Sequence, residues 1–297
     1  MAWTALDTLS KAMFAGAAVE ARGSRFTRKE VTAGDLAGND RYQVFEFQSG
    51  ILIDPPQRDV MVYLPPQYEL EIERRFPVLY LQDGQNLFDG LTSYIPGHTW
   101  RAGTTADELA VTGEMEPVIL VGIANTGLRR MAEYTPTRDF KLGGGEGPSY
   151  GRLLMEEVKP WVDDIYRTLP ESACTGLGGS SLGGLISLYL GLERPDVFGR
   201  LAVMSPSLWW DQGSIFRMVE RAKPEHGRAS PQIWLDMGTA EGARHLRDAD
   251  AIYKLLLRRG WQAGVDVKYM KAAGAIHNED AWALRLGSAL RFLFPPK

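Results

Sequence analysis

The chain has a single cysteine, no surplus of positive charge and no apolar run long enough to cross a bilayer. Each absence excludes something. One thiol, Cys174, rules out a disulfide within the chain and any zinc site built on several cysteines. It is expected to pack in the strand ahead of a glycine-serine turn. Lys and Arg number 33 against 37 Asp and Glu, a net charge of −4. No basic surface is therefore available to neutralise phosphates, and nucleic acid is not an expected partner. The apolar stretch from Ala12 to Val19 is too short for a membrane span. Lys11 is the only cation before it, so the basic start of a secretory signal is missing too. A cytoplasmic chain is the default expectation. Neither G-x-G-x-x-G, G-x-x-x-x-G-K-[ST] nor H-E-x-x-H occurs, and the spacing from Asp83 to Asp89 fails the calcium-loop pattern. No cofactor and no metal are expected.

What the 297 residues do contain is an ordinary globular balance, 44% hydrophobic and 24% charged. The length permits two domains, but the patterning argues for one. Residues 1–40 are weakly patterned and read as an N-terminal segment; residues 41–297 read as the folded domain. Tyr42–Phe47 and Asp59–Tyr63 alternate like the half-buried strands of an antiparallel hairpin. Val78–Leu81, Val118–Val121, Leu201–Met204 and Ile233–Leu235 are short, continuous apolar runs, and Val265–Met270 is a last strand candidate. Runs of that kind indicate strands covered on both faces, as in a mostly parallel sheet. Between them Leu153–Tyr166, Leu182–Leu192, Leu246–Arg259 and Ala281–Phe294 carry helical periodicity. The fold class is α/β.

The chemistry concentrates in Gly178-Gly179-Ser180-Ser181-Leu182-Gly183-Gly184, which holds one G-x-S-x-G match centred on Ser181. Flanking glycines let backbones pass where a Cβ would clash, leaving the serine Oγ exposed between a strand and a helix. The match follows the run Ala173–Leu177 and opens the Leu182–Leu192 helix, which is the required context. Ser180 is excluded because Leu182 stands where a glycine would be needed. A serine needs a base. His277 lies in the loop after the last strand, in the chain order expected for a Ser…acid…His triad. His245 and His226 read as solvated, and His98 is placed to line a cleft. Glu241, just beyond the strand at Gln232–Met237, is the favoured acid, with Asp236 and Asp211 as alternatives. Backbone amides of Leu182 and of Gln85, in the loop after Val78–Leu81, are the candidate oxyanion donors. Trp100, Trp209 and Trp210 are candidates for an apolar wall against substrate. Arg129 and Arg130 read as a solvated pair.

With Ser205-Pro206-Ser207-Leu208-Trp209-Trp210, Tyr80–Phe88, Val121–Asn125 and Glu133-Tyr134-Thr135-Pro136, the glycine-serine turn resembles the putative-esterase family of α/β-hydrolases. That family includes feruloyl and acetylxylan carbohydrate esterases, enterochelin (siderophore trilactone) esterases and mycolyltransferases. The resemblance runs from about Tyr42 to Leu293 and implies the α/β-hydrolase fold. It also implies a nucleophile at Ser181, an acid at Glu241, a histidine at His277 and oxyanion amides at Gln85 and Leu182. The expected function is a serine esterase that forms an acyl-enzyme on a small-molecule ester: short-chain, aryl or carbohydrate-linked. A siderophore trilactone esterase or an acyltransferase on the same fold, and a non-catalytic binding module, are the alternatives. The sequence does not fix an oligomeric state.

Overall fold

The computed structural model of the protein describes residues 25–222 and 230–297. His226 and the apolar stretch from Ala12 to Val19 lie outside the described residues. Nine strands form one sheet in the order β1-β2-β3-β5-β4-β6-β7-β8-β9. β1 is Phe26–Lys29, β2 Tyr42–Gln48, β3 Gln57–Tyr63, β4 Val78–Gln82 and β5 Ile119–Ile123; β6 is Thr175–Ser180, β7 Arg200–Met204, β8 Gln232–Gly238 and β9 Val267–Ala272. From β5 to β9 every pairing is parallel, while β1, β2 and β3 form an antiparallel flank whose last strand meets β5 antiparallel.

The continuous apolar runs are explained by the layers on either side. In β4, Val78 and Tyr80 face one core while Leu79 and Leu81 face the other. Helices α1 (Ala102–Val111) and α6 (Glu279–Leu293) cover the second core. The helices α2 (Lys159–Ile165), α3 (Leu182–Glu193), α4 (Trp210–Arg221) and α5 (Ala243–Arg259) cover the first. A strand with helices on both sides has no solvent face to leave polar. Leu182–Leu192 is apolar nearly all round for the same reason, because α3 lies deep between β6, β7 and the helices beside it. Asn278 caps α6, its Oδ1 accepting the amide of Ala281 at 2.9 Å.

Three expectations change. The N-terminal hairpin is a three-stranded flank: Phe26–Lys29, inside the segment read as weakly patterned, pairs along β2 from Phe26↔Phe47 to Lys29↔Val44. Only Phe26 of that strand is turned inward, stacked on Phe47 and Trp161, so the alternation that marks a strand is missing. The helix expected over Leu153–Tyr166 begins earlier, at Gly147, and winds wide as a π-helix over Leu153–Val158 before α2. Cys174 lies in the 3-10 turn Ser172–Cys174 ahead of β6 and is only partly buried, not packed in the strand.

Candidate active site

Parallel strands bring their C-terminal ends to one edge of the sheet, and there the candidate residues gather. Ser181 turns the chain from β6 into α3 with φ 58° and ψ −121°. L-residues adopt that conformation only when the surroundings impose it. Here the Ser181 amide donates to Met204 O, and its carbonyl accepts from the amides of Leu185 and Ser207. The two motif glycines have a shared cause. A Cβ on Gly179 would stand 2.8 Å from the Cβ of Gln82, and one on Gly183 2.9 Å from the same atom. The turn is thus pressed against the end of β4. Ser180 is buried in the strand end, while Ser181 is half-exposed.

Leu182 is the first residue of α3, so its amide has no acceptor within the helix and faces outward from the helix N-terminus. Across from it, the 3-10 turn Gly84–Asn86 follows Asp83, which is held left-handed at φ 57°. Arg130 donates to both Asp83 oxygens at 2.7 Å, Asn125 Nδ2 donates to Oδ1, and the Asp83 amide donates to the Tyr134 hydroxyl. The Gln85 side chain is tied as well, its Oε1 accepting the Asn125 amide. The first bond of that turn runs from the Asn86 amide to Asp83 O, so the amides of Gly84 and Gln85 have no helical partner.

Glu241 lies three residues past β8, and its Oε2 is 2.7 Å from His277 Nδ1. Its Oε1 accepts from the Gly238 amide at 2.9 Å and from Ser205 Oγ at 2.6 Å. Burial alone would raise its pKa; hydrogen bonds from His277, Ser205 and the Gly238 amide outweigh it and hold the carboxyl below its usual range. A carboxylate only accepts, so His277 Nδ1 carries the shared proton. The imidazole stands edge-on to Trp282, ring centroids 4.8 Å apart. Asp236 is fully buried inside β8 and accepts from the Ser205 amide and from Trp234 Nε1. Asp211 sits with φ 45° in the broken first turn of α4. Of the three acids weighed, Glu241 is the one bonded to His277. Ser181, Ser207, Trp209, Glu241, His245 and His277 all line one cleft of about 230 Å³.

A sequence model described as "Putative esterase" matches residues 55–293. The chain belongs to the putative esterase family. It is a carboxylic ester hydrolase with the fold of the α/β-hydrolase esterases. The Bacillus subtilis protein YbbA is 26% identical over 254 residues, 80% of this chain and 92% of that one. Ferri-bacillibactin esterase BesA, also of Bacillus subtilis, is 27% identical over 242 residues, 74% of this chain and 80% of its own length. An IroE-like serine hydrolase from Shewanella oneidensis shares the fold at a TM-score of 0.69, 21% identical over 85% of this chain and 80% of that one.

Not every residue expected around the esterase cleft is there. Trp100 and Trp210 are 2% and 1% exposed. Trp100 packs on Trp282 in the second core, and Trp210 donates its indole N–H to Thr137 O in the first. Neither is a wall; Trp209 alone of the three lines the cleft. His98 pairs with Asp280 at 2.7 Å on the surface and is not among the cleft residues. Arg129 and Arg130 are not a solvated pair, since one bonds Glu146 and the other Asp83. His245, expected in solvent, lines the cleft from the first turn of α5, and Ser207 Oγ is 3.3 Å from Ser181 Oγ. The signal for both was proximity in sequence: His245 follows Glu241 by four residues, and Ser207 lies in the Ser205–Trp210 stretch after β7. Among the described residues no group of three or more His, Cys, Asp or Glu is arranged around a metal position, and no helix is long and apolar enough to cross a membrane.

Proposed function

We propose that the esterase works through Ser181 as nucleophile, His277 as general base and Glu241 as the acid that orients it. The observation that carries this is the 2.7 Å contact of His277 Nδ1 with Glu241 Oε2 in the cleft that Ser181 also lines. With Nδ1 committed to Glu241, Nε2 is the nitrogen left for the serine proton. Ser181 Oγ attacks the ester carbonyl carbon while its proton passes to His277. The negative oxygen meets the amides of Leu182 and Gln85. As the tetrahedral species collapses, the bond to the alcohol oxygen breaks and His277 returns the proton to that oxygen. Water then attacks the acyl-enzyme, gives its proton to His277, and the acid leaves as Ser181 recovers its own.

The substrates proposed are short-chain, aryl or carbohydrate-linked esters. A cleft of about 230 Å³, walled on one side by Trp209, accommodates one acyl or aryl arm of a larger ester. The similarity to a ferri-bacillibactin esterase over 74% of the chain favours a second reading, a siderophore trilactone opened one arm at a time. Hydrolysis of p-nitrophenyl butyrate tests the catalytic assignment. Ser181→Ala is expected to lower kcat by at least about 10⁴-fold and to abolish labelling by a fluorophosphonate probe. A pure variant that keeps its activity would refute it.

A further inference from the structure

Behind Glu241 lies a buried set of side chains that the proposed mechanism does not use. Ser205 follows β7 with φ 41°, a left-handed conformation that a serine adopts only under constraint. Its hydroxyl is contacted from three sides. Trp282 Nε1 reaches Ser205 Oγ at 3.1 Å and Arg285 Nη2 at 2.8 Å, both from α6, while Glu241 Oε1 lies at 2.6 Å. An indole N–H and a guanidinium can only donate, and a hydroxyl has two lone pairs and one proton. The two donors occupy the lone pairs, so the Ser205 proton has one direction left, towards Glu241. Oε1 of Glu241 then receives two hydrogen bonds, from Ser205 and from the Gly238 amide, with no position left for a proton of its own.

We infer that Ser205, fixed by Arg285 and Trp282, is a positioning residue that holds the Glu241 carboxylate ionised and turned so that Oε2 meets His277. The inference rests on the proposed roles of Ser181, His277 and Glu241. The charges around Glu241 agree with it. Among the described residues, Asp236 on β8, Arg285 on α6, His245 on α5 and His277 in the loop before α6 are the titratable groups that face the site. Arg285 is 4% exposed in its side chain, with Nη2 3.4 Å from Asp236 and Nη1 3.6 Å from Glu241. Its Nε and Nη1 have no hydrogen-bond partner. Burying a guanidinium with two idle donors is unfavourable, so the compensation must lie in its charge. Where Asp236 is ionised, above about pH 6, one cation between two carboxylates leaves the cluster one negative charge in excess, which the proton taken up by His277 neutralises during the reaction.

The test uses Ser205→Ala, Ser205→Gly, Arg285→Met and Arg285→Lys in the full chain, with kcat and KM for p-nitrophenyl butyrate followed from about pH 5 to about pH 9. Ser205→Gly removes the hydroxyl while accepting the positive φ, so at least one variant keeps the backbone unstrained. Losing a charge-assisted hydrogen bond to Glu241 is expected to lower kcat by about 10- to 100-fold, with KM within about twofold. The acid limb of kcat/KM should move to higher pH by about one unit, because an unsupported Glu241 protonates sooner and a more basic carboxylate holds the His277 proton more firmly. Arg285→Lys, which keeps the charge but not the planar fork, should restore part of that limb relative to Arg285→Met. Folded Ser205→Gly and Ser205→Ala proteins with an unmoved acid limb and wild-type kcat would overturn the inference, leaving Ser205 as packing between β7 and α6. Fluorophosphonate labelling of the wild type separates the two levels. A protein unlabelled at Ser181 refutes the catalytic assignment and the inference with it, whereas labelled protein with unmoved variants refutes the inference alone.

Discussion

Asp236 and Glu241 are five residues apart, and their carboxyl groups are driven in opposite directions. Asp236 is fully buried, and burial pushes its pKa from an ordinary 3.8 up to about 6, against the pull of Arg285, Trp234 and the Ser205 amide. Glu241 keeps contact with the cleft and goes down. The sign for stability follows from the first of these. Folding favours the neutral Asp236, so its contribution is complete below about pH 4 and disappears as the pH rises through about 6. A displacement of that size corresponds to roughly 3 kcal/mol at most. Urea unfolding at about pH 4 and about pH 7 should show the wild type losing stability relative to Asp236→Asn by up to that amount. Equal pH slopes in the two proteins would count against it. Residues of this kind divide what was legible in the sequence. Glu241 and His277 were, because each lies just past a strand end and position after a strand determines which edge a residue reaches. The separate fates of Asp236 and Glu241 were not, because they depend on the complete burial of Asp236 and on a hydrogen bond to Glu241 from Ser205, 36 residues away in the chain.

At the scale of elements, the turn from β6 to α3 is a contact between backbones. β6 pairs with β4 on one side and β7 on the other. The motif glycines are where α3 and the strand end press on Gln82. Gln82 has little freedom to yield, since it is fully buried and its Oε1 accepts from the Tyr150 hydroxyl. Gly183→Ala would place a Cβ 2.9 Å from Gln82 Cβ and 3.3 Å from Asp83 Oδ2. The expected result is a shift of α3 away from β4, which separates the Leu182 amide from the Gln85 amide. Overpacking of that kind costs about 1–3 kcal/mol, and a displacement of about 1 Å at the proposed oxyanion donors is enough for about a 100-fold loss of kcat. Unfolding curves and p-nitrophenyl butyrate kinetics on one preparation read both; a variant as active as the wild type would refute the close-contact account. Element patterns were also the most legible part of the fold. Strands covered on both faces wrote continuous apolar runs, and β4, β5, β7 and β8 were found from them within a few residues. β1 escaped because three of its four residues are exposed, so an edge strand there looks like any polar segment.

Across the whole molecule, the segment from Thr126 to Pro148 is fastened to β3 and to the loop after β4. Glu133 bonds Arg58 of β3 through both oxygens, at 2.9 and 3.0 Å, with neither side chain more than 1% exposed. Three residues earlier, Arg130 clamps Asp83, which leads into the Gly84–Asn86 turn. The antiparallel flank, remote from Ser181 in sequence, thus holds the short helix Arg130–Glu133 that holds the loop. Nothing in the local pattern of Arg58 announces this, because an arginine in a strand reads as a solvent-facing residue until its partner 75 positions away is known. Removing one member of a buried pair leaves the other charge uncompensated, at about 3–5 kcal/mol. Replacing both with apolar side chains of similar volume is often neutral. Arg58→Met is therefore expected to lose about 3–5 kcal/mol in urea unfolding, and Arg58→Met/Glu133→Leu to regain most of it. Activity should separate the two further. The double variant keeps a packed helix and an intact Arg130–Asp83 clamp, so its kcat should return towards that of the wild type. A double variant that recovers stability but not kcat would mean that the Arg58–Glu133 charges themselves act on the cleft, 75 residues of chain notwithstanding.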